Sequence, residues 1–244
     1  MNKFNILFLI CFCPFVLFAQ KKKKQDYTFH KVDKVVVDGN LTDWEGKIYN
    51  ADSEFWSFGV CTDGAKLYVV VCVKDDMLQR EALRNGVVVN LSYNEKKKGG
   101  AQLLFPYVDR ERLRALGQDE DLNVNNIKEE LLKSVRGYQI SGFSKVLDGL
   151  LSFDNTYGIN AVARFDDKNI LVYESEIPLD LINFKSNKIA LQVGINTHFF
   201  QAKKVMDSTN RPSNVRIYGA NPTGATLKNP YKEETMVWFQ GTIK

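Results

Sequence analysis

Apolar positions fall into many short runs separated by turn residues, and few runs carry helical spacing. Residues 34–39 (KVVVDG) read as a short strand ending in an Asp-Gly turn, and Leu41-Thr42-Asp43-Trp44 as a turn that buries an indole. Residues 55–60 and 67–73 form the arms of a hairpin around Asp63-Gly64. The second arm, LYVVVCV, is apolar on both faces, as a strand covered on each side requires. Further strands are expected at 86–93, 101–107, 138–143, 157–165, 170–177, 189–199 and 235–243. Short helices are expected at 110–116 and 126–134, a helical or turn-like segment at 77–85, one Pro-initiated turn after Pro178, and loop over 202–234. This spacing predicts an all-β chain, an antiparallel β-sandwich with a short helical insertion around 110–135.

The first segment departs from that pattern. Lys3 precedes an apolar run, ILFLICFCPFVLF, of 13 residues, followed by Ala19-Gln20 and Lys21–Lys24. The run is shorter than the roughly 20 residues of a membrane-spanning helix and contains Pro14, so it reads as a secretory signal cut after Ala19. Cys11 and Cys13 follow bulky Ile10 and Phe12, which argues against a lipoprotein signal. The expected division is therefore a signal at 1–19, a lysine-rich leader at 20–33 and one β-sandwich domain at 34–244. The mature chain would be exported, to the periplasm, cell surface or medium, with no transmembrane segment.

Charge changes meaning under this division. The formal net charge is +4, but Lys3 leaves with the signal, and setting aside the four lysines Lys21–Lys24 leaves −1 for everything else. Bulk electrostatics therefore give no reason to expect nucleic acid as a partner. Lys96-Lys97-Lys98, flanked by Gly99-Gly100, is the one basic cluster of the body, a solvated loop able to meet an acidic glycan or phospholipid.

Two cysteines follow the signal, Cys61 and Cys72. A two-residue turn at Asp63-Gly64 places Cys61 opposite Lys66 and Cys72 opposite Phe55, too far apart along the ladder for a disulfide, so buried free thiols are expected. With only His30 and His198, no zinc spacing exists. Asp119, Asp121, Asn123 and Glu130 mimic a calcium loop, but Val124 stands where the turn glycine belongs, leaving calcium a weak cofactor expectation. Met77, Met206, Met236 and His198 lack a haem-like context. There is no Gly-x-Ser-x-Gly elbow or phosphate loop, and the chain is read as non-catalytic.

The order of three motifs resembles the family 9 carbohydrate-binding module and its DOMON-like relatives. Val37-Asp38-Gly39-Asn40-Leu41-Thr42-Asp43-Trp44 is similar to the family's opening turn. Asp63-Gly64-Ala65-Lys66-Leu67-Tyr68-Val69 is similar to its turn and following strand, and Val172-Tyr173-Glu174-Ser175-Glu176-Ile177-Pro178-Leu179 to its late strand and turn. Residues 85–106 also resemble exported single-module proteins of Bacteroidetes-type bacteria. The resemblance implies a β-sandwich that binds a polysaccharide or oligosaccharide through aromatic rings.

Candidate ligand-binding residues are Trp56, Trp238, Arg84, Asn90 and Tyr93. Indoles cover the C–H faces of sugar rings, while polar side chains read the hydroxyl edges. Trp238 alternates with Phe239, so one faces the core and the other faces outward. Trp44 is expected to plug one end of the sandwich, and Glu174 and Glu176 to meet solvent or a lysine. Where relatives carry an acidic strand, this chain reads Asn85-Gly86-Val87-Val88-Val89-Asn90-Leu91. That loss supports the competing expectation, an envelope structural or protein-interaction sandwich without a sugar site.

Overall fold

The structure is a computed structural model that describes residues 27–51, 54–118, 126–208, 228–231 and 234–243. The expected signal, the lysines at 21–24 and the acidic part of the calcium-like loop at 119–125 lie outside the described residues. The strands in chain order are β1 (His30–Lys31), β2 (Ile48–Asn50), β3 (Trp56–Thr62), β4 (Lys66–Val73), β5 (Val87–Leu91) and β6 (Ala101–Phe105). They continue as β7 (Tyr138–Ser141), β8 (Gly149–Leu151), β9 (Asn160–Phe165), β10 (Leu171–Pro178), β11 (Lys188–Ile195) and β12 (Met236–Thr242). Helices are α1 (Asp76–Asn85), α2 (Arg110–Gly117), α3 (Ile127–Lys133) and α4 (His198–Ser208), with single 3-10 turns at Thr42–Trp44 and Leu179–Leu181.

Two six-stranded sheets result. One runs β1-β3-β4-β10-β9, with β2 also paired to β3; the other runs β12-β11-β5-β6-β7-β8. Pairing is antiparallel except between β1 and β3. Alternation decides the faces. Phe58, Val60, Val69, Val71 and Tyr173 of the first sheet share one apolar core with Val87, Val89, Leu103, Leu191 and Phe239 of the second. Leu78, Ala82 and Leu83 of α1 join that core. The Asp75 carboxylate caps this helix by accepting the Leu78 N–H at 2.9 Å.

The first sheet is buried on its outer face as well. Trp44, Val35, Cys61, Tyr68, Val70, Cys72 and Val172 form a second apolar cluster there, covered by the chain between Val32 and Ile48. Trp44 therefore covers a sheet face rather than plugging an end. It is fully buried, and its indole N–H donates to Glu174 Oε1 at 2.5 Å. Glu174 Oε2 accepts the backbone N–H groups of Gly39 at 2.5 Å and Asp38 at 2.9 Å. Glu174 is thus fully buried, against the expectation of a solvent-facing carboxylate. Glu176 does meet a lysine, Lys66, at 3.0 Å. Gly39 sits at φ 81, and a Cβ there would come within 2.5 Å of Arg164 Nε, so the turn that aims two N–H groups at Glu174 requires glycine.

Several boundaries move. Residues 34–39 do not form a strand; β1 lies earlier, and Tyr27 and Phe29 pack on the core, so part of the expected leader belongs to the fold. The hairpin register is shifted by two: Cys61 faces Tyr68 and Cys72 faces Ser57. Asp63 causes the shift, because its Oδ1 accepts the N–H groups of both Ala65 and Lys66 and closes a longer turn. The cysteines are buried free thiols in this register as well. The strand expected to run to residue 199 stops at Ile195, and α4 replaces its last residues and the start of the loop expected over 202–234. Thr197 Oγ1 accepts the Phe200 N–H at 3.1 Å, capping that helix start.

Candidate functional site

With Phe239, Leu191, Val89 and Leu103 in the core, alternation along the strands puts Trp238, Gln192, Asn90 and Gln102 on the outer face, and the sheet register brings them together. Trp238 pairs with Gln192, Gln192 with Asn90, Asn90 with Gln102, and Gln102 with Ser141. One row of side chains thus crosses β12, β11, β5, β6 and β7 on the outer face of the second sheet. It begins with an indole and continues with three amides.

The first four members of this row, Trp238, Gln192, Asn90 and Gln102, floor a groove of about 810 Å³. Phe199, Phe200, Lys203 and Lys204 of α4 line the groove, as do Lys97, Lys98 and Gly99 of the β5–β6 loop. Trp238 is half-buried, with Phe239 on the core side. Asn90 and Gln192 are only 6% and 8% exposed, so these amides lie deep in the floor.

Asn90 is tied at both ends: Nδ2 donates to Gln192 Oε1 at 3.3 Å, and Oδ1 accepts the Gly100 N–H at 2.9 Å. Gly100 can approach because it lacks a side chain; a Cβ would lie 1.9 Å from the Leu91 carbonyl oxygen. The loop is fixed further along. Ser92 Oγ donates to the Lys96 carbonyl at 2.7 Å, Asn94 Oδ1 accepts the Lys96 N–H at 2.8 Å, and Gln240 Nε2 donates to the Glu95 carbonyl at 2.7 Å. The side-chain amide of Gln102 makes no hydrogen bond to any described residue. Such an arrangement offers a stacking surface, donors and acceptors in a row, and ammonium groups above them.

The other candidates lie elsewhere. Trp56 is 1% exposed in the central core, its N–H reaching the Glu234 carbonyl at 3.3 Å, so it has no free ring face and cannot clamp a ligand with Trp238. Arg84 is exposed on the last turn of α1, outside the groove lining. Tyr93 packs on the core and donates its hydroxyl to the Gly142 carbonyl at 2.5 Å. The row keeps Trp238 and Asn90 and adds Gln192 and Gln102. A lone amide inside each apolar run (ALQVGI, VVVNL, AQLLF) is the signal that could have marked them.

Among the described residues no three His, Cys, Asp or Glu side chains gather as metal ligands, and no helix is long and apolar enough to cross a membrane. His198 lies 3.2 Å from Glu81, Met77 is exposed and Met236 buried; the Met206 side chain lies outside the described residues. Burial pushes the thiols of Cys61 and Cys72 up, to about 11 and about 12. No protein-family model matches the chain, and no curated protein matches it significantly.

Proposed function

We propose that the protein is an exported, non-catalytic glycan-binding module of DOMON-like, family 9 carbohydrate-binding type, and that the groove on the outer face of its second sheet holds the sugar. The observation that carries this reading is the in-register row of Trp238, Gln192, Asn90 and Gln102 on the floor of one groove. An indole beside amides matches a sugar's two surfaces, an apolar ring face and a hydroxyl edge. Export rests on the basic start and 13-residue apolar run at the N-terminus.

A glycan array probed with the mature protein, followed by calorimetry on the best ligand, tests the reading. Trp238→Ala should weaken binding at least about tenfold, as removal of an aromatic anchor does, while leaving the urea midpoint nearly unchanged. Trp56→Phe should do the reverse, lowering stability without altering affinity of the folded protein. No binding to any glycan, or binding indifferent to Trp238→Ala, would overturn it.

A protein-interaction module is the second reading. It is favoured by the apolar edge around β8, where Leu147 is 91%, Leu150 55% and Phe153 47% exposed. Concentration-dependent association that Leu150→Asp abolishes, together with a silent glycan array, would favour it over the first.

A further inference from the structure

We infer that the groove selects an anionic glycan, one whose sugars carry carboxylate or sulfate groups; this deepens the glycan reading and rests on it. Four lysines line the groove, Lys97 and Lys98 on the β5–β6 loop and Lys203 and Lys204 on α4. Glu234 is the single carboxylate among the described lining residues. The imbalance is local, because the chain without Lys3 and Lys21–Lys24 carries −1.

Their gathering in one groove, rather than the lack of a partner alone, sets these lysines apart, since Lys31, Lys74, Lys168 and Lys188 also have no ion pair among the described residues while four other lysines do. Lys66 pairs with Glu176, Lys128 with Asp76, Lys133 with Glu130, and Lys145 with Asp180. None of the four groove lysines has an ion pair among the described residues, and all four are exposed. Like charges gathered in a concave site repel one another, and a bound anion relieves that repulsion. The loop that carries Lys97 and Lys98 is held by Asn90, Ser92, Asn94 and Gln240, so the backbone that presents their side chains to the groove is fixed before a ligand arrives.

The floor argues for a sugar as the carrier of the charge. A site for bare polyanions needs only cations, whereas this one sets an indole and three amides beneath them. Ring faces would lie on Trp238, hydroxyls on the amides, and the acidic substituents toward the lysines.

Calorimetry with matched polymers tests this: polygalacturonate against its methyl ester, and dextran sulfate against dextran. The charged member of at least one pair should bind at least about tenfold tighter at low salt, and about 0.5 M sodium chloride should remove most of that advantage. The two pairs distinguish carboxylate from sulfate as the recognised group. Replacing all four groove lysines by Gln should bring the charged member to the level of the neutral one without shifting the unfolding midpoint, while Trp238→Ala should weaken both. Equal affinity within both pairs, with the lysine variant silent, overturns the anionic inference and leaves the glycan reading standing. Binding that polyglutamate reproduces and Trp238→Ala does not change overturns both. Failure of both charged polymers overturns the anionic inference, and a Trp238-dependent neutral glycan would then still uphold the broader reading.

Discussion

Replacing Glu174 by Gln puts the tightest polar knot of the fold to the test. In the native chain one carboxylate serves three N–H donors, Trp44 Nε1 on one oxygen and the backbones of Asp38 and Gly39 on the other. A glutamine offers only one acceptor oxygen. If that oxygen keeps Asp38 and Gly39, the new NH₂ faces the Trp44 N–H, and two buried donors confront each other without an acceptor. An orphaned buried donor costs about 1–3 kcal/mol, and the loss of a charge-assisted bond adds to it, while relief from burying a charge subtracts. The expected loss is about 2–4 kcal/mol at neutral pH, or roughly 5–15 °C in Tm for a chain of this size. Urea unfolding followed by far-UV circular dichroism measures it. Trp44→Phe removes one of the opposed donors, so the double variant should lose at least about 1 kcal/mol less than the two single variants predict.

The same variant reads the competition between burial and hydrogen bonding. Burial pushes the Glu174 carboxyl above its ordinary value of 4.5, outweighing the downward pull of Gly39, Trp44 and Asp38. A carboxyl raised in the folded state binds its proton more tightly there than in the unfolded chain. Its contribution to stability is therefore complete below the ordinary Glu range and declines as pH rises through the folded value. The margin of wild type over Glu174→Gln should shrink as pH is raised from about 4 upward. A glutamine variant within about 0.5 kcal/mol of wild type would refute the knot. A margin that grows with pH would show that the three donors outweigh burial.

Two further outcomes are expected. Cys61 and Cys72, with thiols raised to about 11 and about 12 by burial, should resist iodoacetamide in the native state at neutral pH and react on unfolding; rapid native labelling would place them at a surface. Gln102→Leu should leave the urea midpoint unchanged or slightly raised, because the amide has no protein partner among the described residues, yet weaken glycan binding about three- to tenfold. A midpoint loss above about 1 kcal/mol would make Gln102 a structural residue instead.

The strand inventory was largely legible because a half-buried strand must alternate and a doubly covered one must be apolar throughout. LYVVVCV announced β4, and the seal on its outer face proved to be the segment holding Trp44. Short β1, β2 and β8 were not legible, since two or three residues carry no period. Turn chemistry misled at Asp63, where a side chain that accepts two N–H groups lengthens the turn and moves every cross-strand pair. The burial of Glu174 is hidden in the sequence for a related reason. Its partners lie 130 to 136 residues earlier, and no local pattern shows that the Asp38-Gly39 turn folds back onto it.

The candidate site was legible as residue types but not as a place. Trp238 and Asn90 stood out as an indole and an amide within strands, but so did Trp56, which alternation alone could not assign to the core. What joins Trp238 to Asn90 is β11, which lies between β12 and β5 in the sheet and contributes Gln192. That order is a long-range property, invisible until the strands are paired.

The two outer faces of the sandwich solve the same problem differently. A sheet face can be left wet, with charged side chains, or covered, with apolar ones. The first sheet takes the second course, and its buried carboxylate is matched by three donors. The second sheet takes neither. It buries Asn90 and Gln192 to 6% and 8% exposure but leaves the Gln102 side chain without a partner among the described residues, under a groove rather than a seal. A buried amide is costly unless it is bonded, and an apolar residue would serve a permanently covered face better. Amides gain their advantage on a face that is wet at one time and covered by a hydroxyl-rich partner at another. The proposed glycan site rests on that advantage more than on the number of aromatic residues.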